Sequence, residues 1–554
     1  MHNVINRLRK KTLIIGIDGA DWAYLKQALP DCPRLKRLIT NGTSGRLRST
    51  MPPISPVAWS SFSTGKHPQK HGIFDWQVRE IGGGLKRPVI SKDRRGTPFW
   101  NYLNKAGIRT GVIGIPLTFP VEPLEGFMIC GFDAPPQDNF YPANLREVLK
   151  KKFGERTDII FKHSYHEGDE KGYLAYWKDY IGSLTDAAIY LADFFEIDCL
   201  VINYMAVDHL NHSAERLESV LEAFGYMDRA IDRFTEAFPE SNIIVLSDHG
   251  AKRVDGGFLI CELLHELGLL KYKSDGIDPF RHMELLVRLL QGKAGLPGFF
   301  EKALRGALFY TLKALPKPVV RDFWRRIYSW DEKIFHLFWN IDQANSVVDL
   351  SSGCAIQFYL RENNGVMQGD RQGAIDLLKD NLSKIKDPVS GERLFEGLYE
   401  SRQVADGNFI DLAPDLIADF GDAPFHACLG YPMSKISQVD GLFAYKDHRY
   451  YNLLMKGTHR LHGIYILSGP GFQKIGNGPD MDIFDIPGLA LAANDVPVPE
   501  DYDADFYPEM LTKAINNDRQ DSLDSDDAGD SSKDKDTASY EETMNRLRSL
   551  GYVG

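Results

Sequence analysis

Six side chains able to bind a cation stand where apolar runs of this chain begin or end: Asp18, Asp208, His212, Asp248, His249 and His459. In IIVLSDHGA (243–251) an aliphatic run leads straight into Asp248, His249 and Gly250. An Asp beside a His is costly to bury without a partner, although Asp-x-Gly after a strand is also an ordinary turn. Asp18 closes the first apolar run, in GIDGADW, and Asp208 and His212 follow another, in YMAVDHLNH. The last two are four residues apart, so they share a face if the segment is helical, and ligands one turn apart can grip one ion. His459 precedes the last apolar run, in KGTHRLHGI. Asp and His without thiolates suit Zn, Mn or Fe, and Mg less well. The ligands suffice for two ions, and two ions roughly 4 Å apart form a clamp for in-line phosphoryl displacement. His209 and His462 lie nearby and are expected outside the ligand set.

Such a site often carries its own nucleophile. MPPISPVAWSSFSTGKHPQKHGIFDW (51–76) offers Ser55, Ser60, Ser61, Ser63 and Thr64 near the start of a helical stretch. A helix N-terminus favours an alkoxide and a bound phosphate, which singles out Ser55, the earliest. Ser55 could equally be a plain N-cap.

These residues need a scaffold that gathers strand ends. LIIGIDG (13–19), TGVIGIP (110–116), CLVINYMAVD (199–208) and IIVLSDHG (243–250) read as strands buried on both faces of a parallel sheet. Helical patterns lie between them at 96–107, 172–195 and 218–238. This alternation predicts a doubly wound α/β sheet, whose ligands bind at the carboxyl ends of strands. Sheet-like material resumes at 346–360, and HGIYILSGPG (462–471) reads as a final core strand. Residues 275–340 are helical, aromatic and locally basic, which fits an amphipathic cap over the sheet or a surface for peripheral membrane contact. An acidic linker is expected over 515–538, and SYEETMNRLRSLGYVG (539–554) reads as a short helix, docked or solvated. The catalytic core would then comprise 1–274 and 341–505.

With 43% hydrophobic residues in 554, the chain can bury a substantial core. Its net charge of −11 argues against a nucleic-acid platform. Six dispersed cysteines without a CxxC pair suggest neither a zinc ribbon nor a disulfide scaffold. TLIIGI is too short for a signal peptide, and no apolar stretch approaches a membrane span of about 20 residues. A cytoplasmic location is the expectation.

The stretch PPISPVAWSSFSTGKHPQKHGIFDW resembles the nucleophile segment of the alkaline phosphatase superfamily, and is most similar to its type I phosphodiesterase/nucleotide pyrophosphatase branch. GIDGADW, DHLNH, SDHGA and GTHRLHGIYILSGPG resemble that family's metal motifs, in the same order. The resemblance implies an alkaline-phosphatase-like three-layer α/β/α sandwich with a mostly parallel sheet and a helical cap insertion. It implies that Asp18, Asp248 and His249 hold one divalent ion with the Ser55 oxygen, and that Asp208, His212 and His459 hold the other. Zn is the expected metal, with Mn the alternative. Ser55 would form a phosphoserine that water then releases, on a phosphate-ester small molecule or a lipid headgroup. The same site could serve a phosphotransferase or phosphomutase, and a metal-stabilised membrane- or partner-binding protein is the non-enzymatic alternative. Two departures stand out: the family usually has Thr where this chain has Ser55, and its phosphate-steadying Asn is here Trp76. A sulfatase is not expected, since DCPRL (31–35) lacks the C/S-x-P-x-R spacing.

Overall fold

A computed structural model describes residues 12–79, 85–135, 139–157, 169–271, 341–342, 344–351, 354–361, 370–427, 442–445, 456–505, 507–513, 519–524, 543–544 and 547. The segment 275–340, expected as a helical cap, lies outside the described residues.

Strands Asn242–Leu246, Thr12–Ile17, Cys199–Tyr204, Thr110–Ile113 and Gly126–Ile129 lie side by side and parallel. The strand His462–Ser468 runs antiparallel between Asn242–Leu246 and Thr43–Arg48, and Phe140–Tyr141 pairs antiparallel at the far edge. The sheet is therefore mostly parallel, as expected, but its last long strand is reversed. Near-continuous apolar composition accounts for the middle strands, because both faces are covered. Leu13, Ile15 and Ile17 point to one face, where they meet the helices Glu170–Phe194 and Leu217–Ala237. Ile14, Val112, Val201 and Ile244 point to the other, against Ser55–Thr64, Phe99–Lys105 and Ile486–Ala493. This is the three-layer α/β/α sandwich, built on the period-2 alternation of a pleated strand.

A smaller antiparallel sheet, ordered Val348–Ser351, Ala355–Leu360, Leu416–Asp419, Gly397–Glu400, has its own core with the helices Ile260–Glu266 and Arg371–Leu382. Its other face brings Cys354, Ala355 and Ile417 against Met51, Ile54 and Val57, beside the predicted nucleophile. Within the expected acidic linker, Arg519–Gln520 pair with Val498–Pro499, and Asp524 accepts from the Thr97 amide. Of the C-terminal segment, Thr543 and Leu547 are buried and Met544 packs on the main core.

Candidate metal centre

Three neighbouring parallel strands end flush, with Gly16 opposite Leu246 and Ile17 opposite Tyr204. Each delivers ligands just beyond its end. Asp18 follows Ile17, Asp248 and His249 follow Leu246, and Asp208 and His212 lie on the helix Ala206–Ser213 after Tyr204. The helical turn that puts Asp208 under His212 is therefore present. His459 arrives on a short strand, Gly457–Arg460, which pairs antiparallel with Gly250–Arg253. That register sets His459 opposite Ala251 and stacks its ring on His249, with centroids 3.6 Å apart.

The six residues form two groups, Asp18/Asp248/His249 and Asp208/His212/His459, and within each group the ligand atoms lie within 4.8 Å of one another. All six are buried or nearly so. The imidazoles share one arrangement. His212 Nδ1 meets the Gly457 carbonyl at 2.9 Å, His249 Nδ1 the Gly250 carbonyl at 3.0 Å, and His459 Nδ1 the Pro53 carbonyl at 2.9 Å. A carbonyl only accepts, so in the neutral ring the proton sits on Nδ1 and the Nε2 lone pair faces inward. Electron-rich atoms then crowd two points. His212 Nε2 and His459 Nε2 are 2.8 Å apart, with Asp208 Oδ1 at 3.1 and 3.4 Å. His249 Nε2 lies 3.3 Å from Asp248 Oδ2 and 3.6 Å from Asp18 Oδ1, two buried oxygens that receive no hydrogen bond from the described residues. Nitrogen and carboxylate donors thus converge at two points, and an Asp/His donor set of this kind suits Zn or Mn.

Burial opposes a charge on His212, but Asp208 beside it and the Gly457 carbonyl raise its pKa. Burial first, then the charge of Asp208, raises the Asp18 pKa to about 7. Burial, Asp18 and Asp208 together hold Asp248 well above the usual carboxylate range. Burial also opposes ionisation of Asp208, but His212 and His459 beside it keep its pKa well below the ordinary value. Burial and the neighbouring His459 hold His249 well below the usual imidazole value, so its ring is neutral. A carboxylate-rich pocket of this kind is stabilised by positive charge placed within it.

Ser55 is the first residue of the helix Ser55–Thr64, and the N-cap position before it is Ile54, so the plain N-cap role does not fall to Ser55. Its Oγ lies 3.3 Å from His249 Nε2. The competing hydroxyls are otherwise engaged: Ser60, Ser63 and Thr64 each donate to the carbonyl four residues back, and Ser61 meets His71 Nε2 at 2.9 Å. Of the candidates in that segment, Ser55 is the one beside the candidate metal ligands.

Two contributors escaped the sequence reading. Trp59 Nε1 donates to Asp18 Oδ2 at 2.9 Å, and Asn203 Nδ2 donates to the same oxygen at 3.1 Å. The signals were modest: Trp59 stands one helical turn after Ser55, and Asn203 is a polar residue inside an apolar strand. His209 and His462 belong to neither group. The His209 ring packs on Trp177 and Phe132, and burial lowers its pKa to about 4. The Trp76 indole is buried, packed edge-on to Phe132 at 5.5 Å.

A family model described as Type I phosphodiesterase / nucleotide pyrophosphatase matches residues 12–295, a stretch that holds Ser55 and all the paired carboxylates and imidazoles except His459. No curated protein matches the chain. Among solved structures, phosphonoacetate hydrolase from Sinorhizobium meliloti 1021, in complex with phosphonoacetate, is similar over 88% of this chain and 96% of its own, at 15% identity and a TM-score of 0.47. Murine ectonucleotide pyrophosphatase/phosphodiesterase 5 is similar over 91% of this chain and 100% of its own, at 13% identity and a TM-score of 0.47.

Proposed function

The chain belongs to the type I phosphodiesterase / nucleotide pyrophosphatase family, and from that premise we propose that it hydrolyses phosphate esters, diesters foremost, at a pair of divalent cations and through a phosphoserine on Ser55. The observation that carries this reading is the convergence of Ser55 Oγ, His249 Nε2, Asp18 Oδ1 and Asp248 Oδ2 at the end of the central strands. Asp18, Asp248 and His249 hold one cation and Asp208, His212 and His459 the other, with Zn favoured and Mn the alternative. When bound, the cations supply positive charge to the attacking and departing oxygens.

The protein's own groups divide the remaining work. The helix that starts at Ser55 directs its positive end at the phosphoryl group. Ser55 Oγ attacks phosphorus as its proton passes to solvent, an Oγ–P bond forms, and the bond to the ester oxygen breaks. The departing alcohol takes a proton from water. Water then attacks the phosphoserine, the Oγ–P bond breaks, and Ser55 regains a proton. One difficult displacement becomes two easier ones. The imidazoles are held in orientation because each directs Nδ1 at a backbone carbonyl. The substrate is a phosphate ester of a small molecule or a lipid headgroup, with the 275–340 segment as the surface that contacts membrane.

The test is turnover of bis(p-nitrophenyl) phosphate by zinc-loaded full-length protein. Ser55→Ala should lower kcat by at least about 10³-fold while leaving the bound metal nearly unchanged, and wild type quenched in acid should carry one phosphoryl group on Ser55 by mass spectrometry. Full activity in Ser55→Ala would remove the nucleophile assignment.

A further inference from the structure

The carboxylate of Asp18 is used asymmetrically. Its Oδ2 accepts two hydrogen bonds, from Trp59 Nε1 at 2.9 Å and Asn203 Nδ2 at 3.1 Å, and both donor residues are fully buried. Its Oδ1 accepts none from the described residues and faces His249 Nε2. The donors come from different elements: Trp59 from the helix that begins at Ser55, Asn203 from the strand next to the one that leads to Asp18. The Trp59 indole is held in place by its neighbours. The Trp59 ring meets Phe62 edge-on at 5.1 Å, and Phe62 meets Phe99 likewise at 5.4 Å. The backbone makes room for both at one position. A Cβ on Gly16 would lie 2.6 Å from Asn203 Oδ1 and 2.7 Å from the Trp59 ring.

We propose that Trp59 and Asn203 are positioning residues that clamp Oδ2 of Asp18, so that Asp18 presents Oδ1 alone to its cation. The clamp ties the helix bearing Ser55 to that cation, and it sets the affinity of the Asp18/Asp248/His249 group separately from that of Asp208/His212/His459. It rests on the reading that the two groups hold divalent cations. Neither residue reaches the substrate. Their effect passes through Asp18, as a supporting hydrogen bond tunes a metal ligand.

The experiment is calorimetric titration of Zn²⁺ into metal-stripped full-length protein. Wild type, Trp59→Phe and Asn203→Leu are compared, with turnover measured at increasing zinc. Trp59→Phe keeps a ring and removes the N–H, and Asn203→Leu keeps similar volume and removes the amide. In each variant one of the two zinc affinities should fall by about 10- to 100-fold while the other stays near wild type. Saturating zinc should restore kcat, which a general loss of packing would not allow. If one variant fails to fold, the other reads the same effect. Two-site binding in wild type with both affinities unchanged in the variants would overturn the clamp alone. A wild type that binds no zinc would overturn the two-cation reading and the clamp with it.

Discussion

Asp248 has a side chain that opposes the fold it serves. It is wholly buried, it neighbours Asp18 and Asp208, and its pKa is raised well above the ordinary value by burial and by those two charges. A carboxyl group whose folded pKa is raised favours folding most at low pH, and that contribution is lost as pH rises through the raised value. Asp248→Asn keeps the shape and removes the charge. At neutral pH and without metal the variant should unfold at a higher temperature than wild type. With zinc the order should reverse, because a ligand is gone and affinity should drop by more than about 100-fold, beyond the loss expected for a supporting residue. Thermal melts with and without chelator measure both. At this scale much was legible: carboxylates and imidazoles at the ends of apolar runs are conspicuous, since such groups are costly to bury. Trp59 and Asn203 were not, because an indole and an amide among apolar neighbours read as core until a partner is known. The three carbonyls that orient the imidazoles belong to the backbone, so side-chain types could not point to them.

The elements owe their placement to turns that only certain residues can make. Gly19 follows Asp18 with φ +69°, and a Cβ there would sit 2.9 Å from Asp208 Cβ and 3.0 Å from its Cα. Gly19→Ala therefore adds both left-handed strain and a clash with the backbone that carries a ligand of the other group. It should destabilise the protein by about 1–3 kcal/mol and weaken zinc binding at Asp208/His212/His459, read by urea unfolding and by calorimetry. The same substitution at Gly107, also at positive φ but with open space around it, should cost strain without touching zinc affinity. Element type was readable along most of the core, because the period of apolar residues distinguishes buried strands from amphipathic helices. The helix under Asp208 and His212 was not readable this way: the run 199–208 reads as one strand, whereas the strand ends at Tyr204 and Ala206–Ser213 is helical. Strand direction was not readable. His462–Ser468 has the same apolar composition as its parallel neighbours yet runs antiparallel, and the pairing of Gly250–Arg253 with Gly457–Arg460 joins segments too distant in sequence for any local pattern to register.

For the molecule as a whole, the candidate metal centre lies where two sheets meet. Pro53 O accepts from His459 Nδ1 and from Cys354 Sγ, so one carbonyl links a candidate metal ligand to the smaller sheet. Lys252 makes a further connection. It stands on Gly250–Arg253, directly after His249, and its Nζ donates to Gly421 O at 2.6 Å and Ala423 O at 2.5 Å, just beyond the smaller sheet's strand Leu416–Asp419. Burial lowers its pKa from 10.5 to about 8, with the charge of Asp419 opposing the shift. In the unfolded chain the ammonium keeps its proton to about 10.5, whereas the folded protein releases it near 8. Between those values the unfolded chain holds the extra proton, so raising the pH through that window favours the folded state. The gain from this one group is at most about 3 kcal/mol. Lys252→Met keeps the stem and cannot titrate, so its stability relative to wild type should decline as pH rises from 8 to 10.5, a contrast that cancels the other titrating groups common to both. Urea unfolding across that range measures it. Parallel curves would mean that the Lys252 ammonium is no harder to keep protonated inside the fold than in water, and that the joint between the two sheets depends on the two carbonyl hydrogen bonds rather than on its charge.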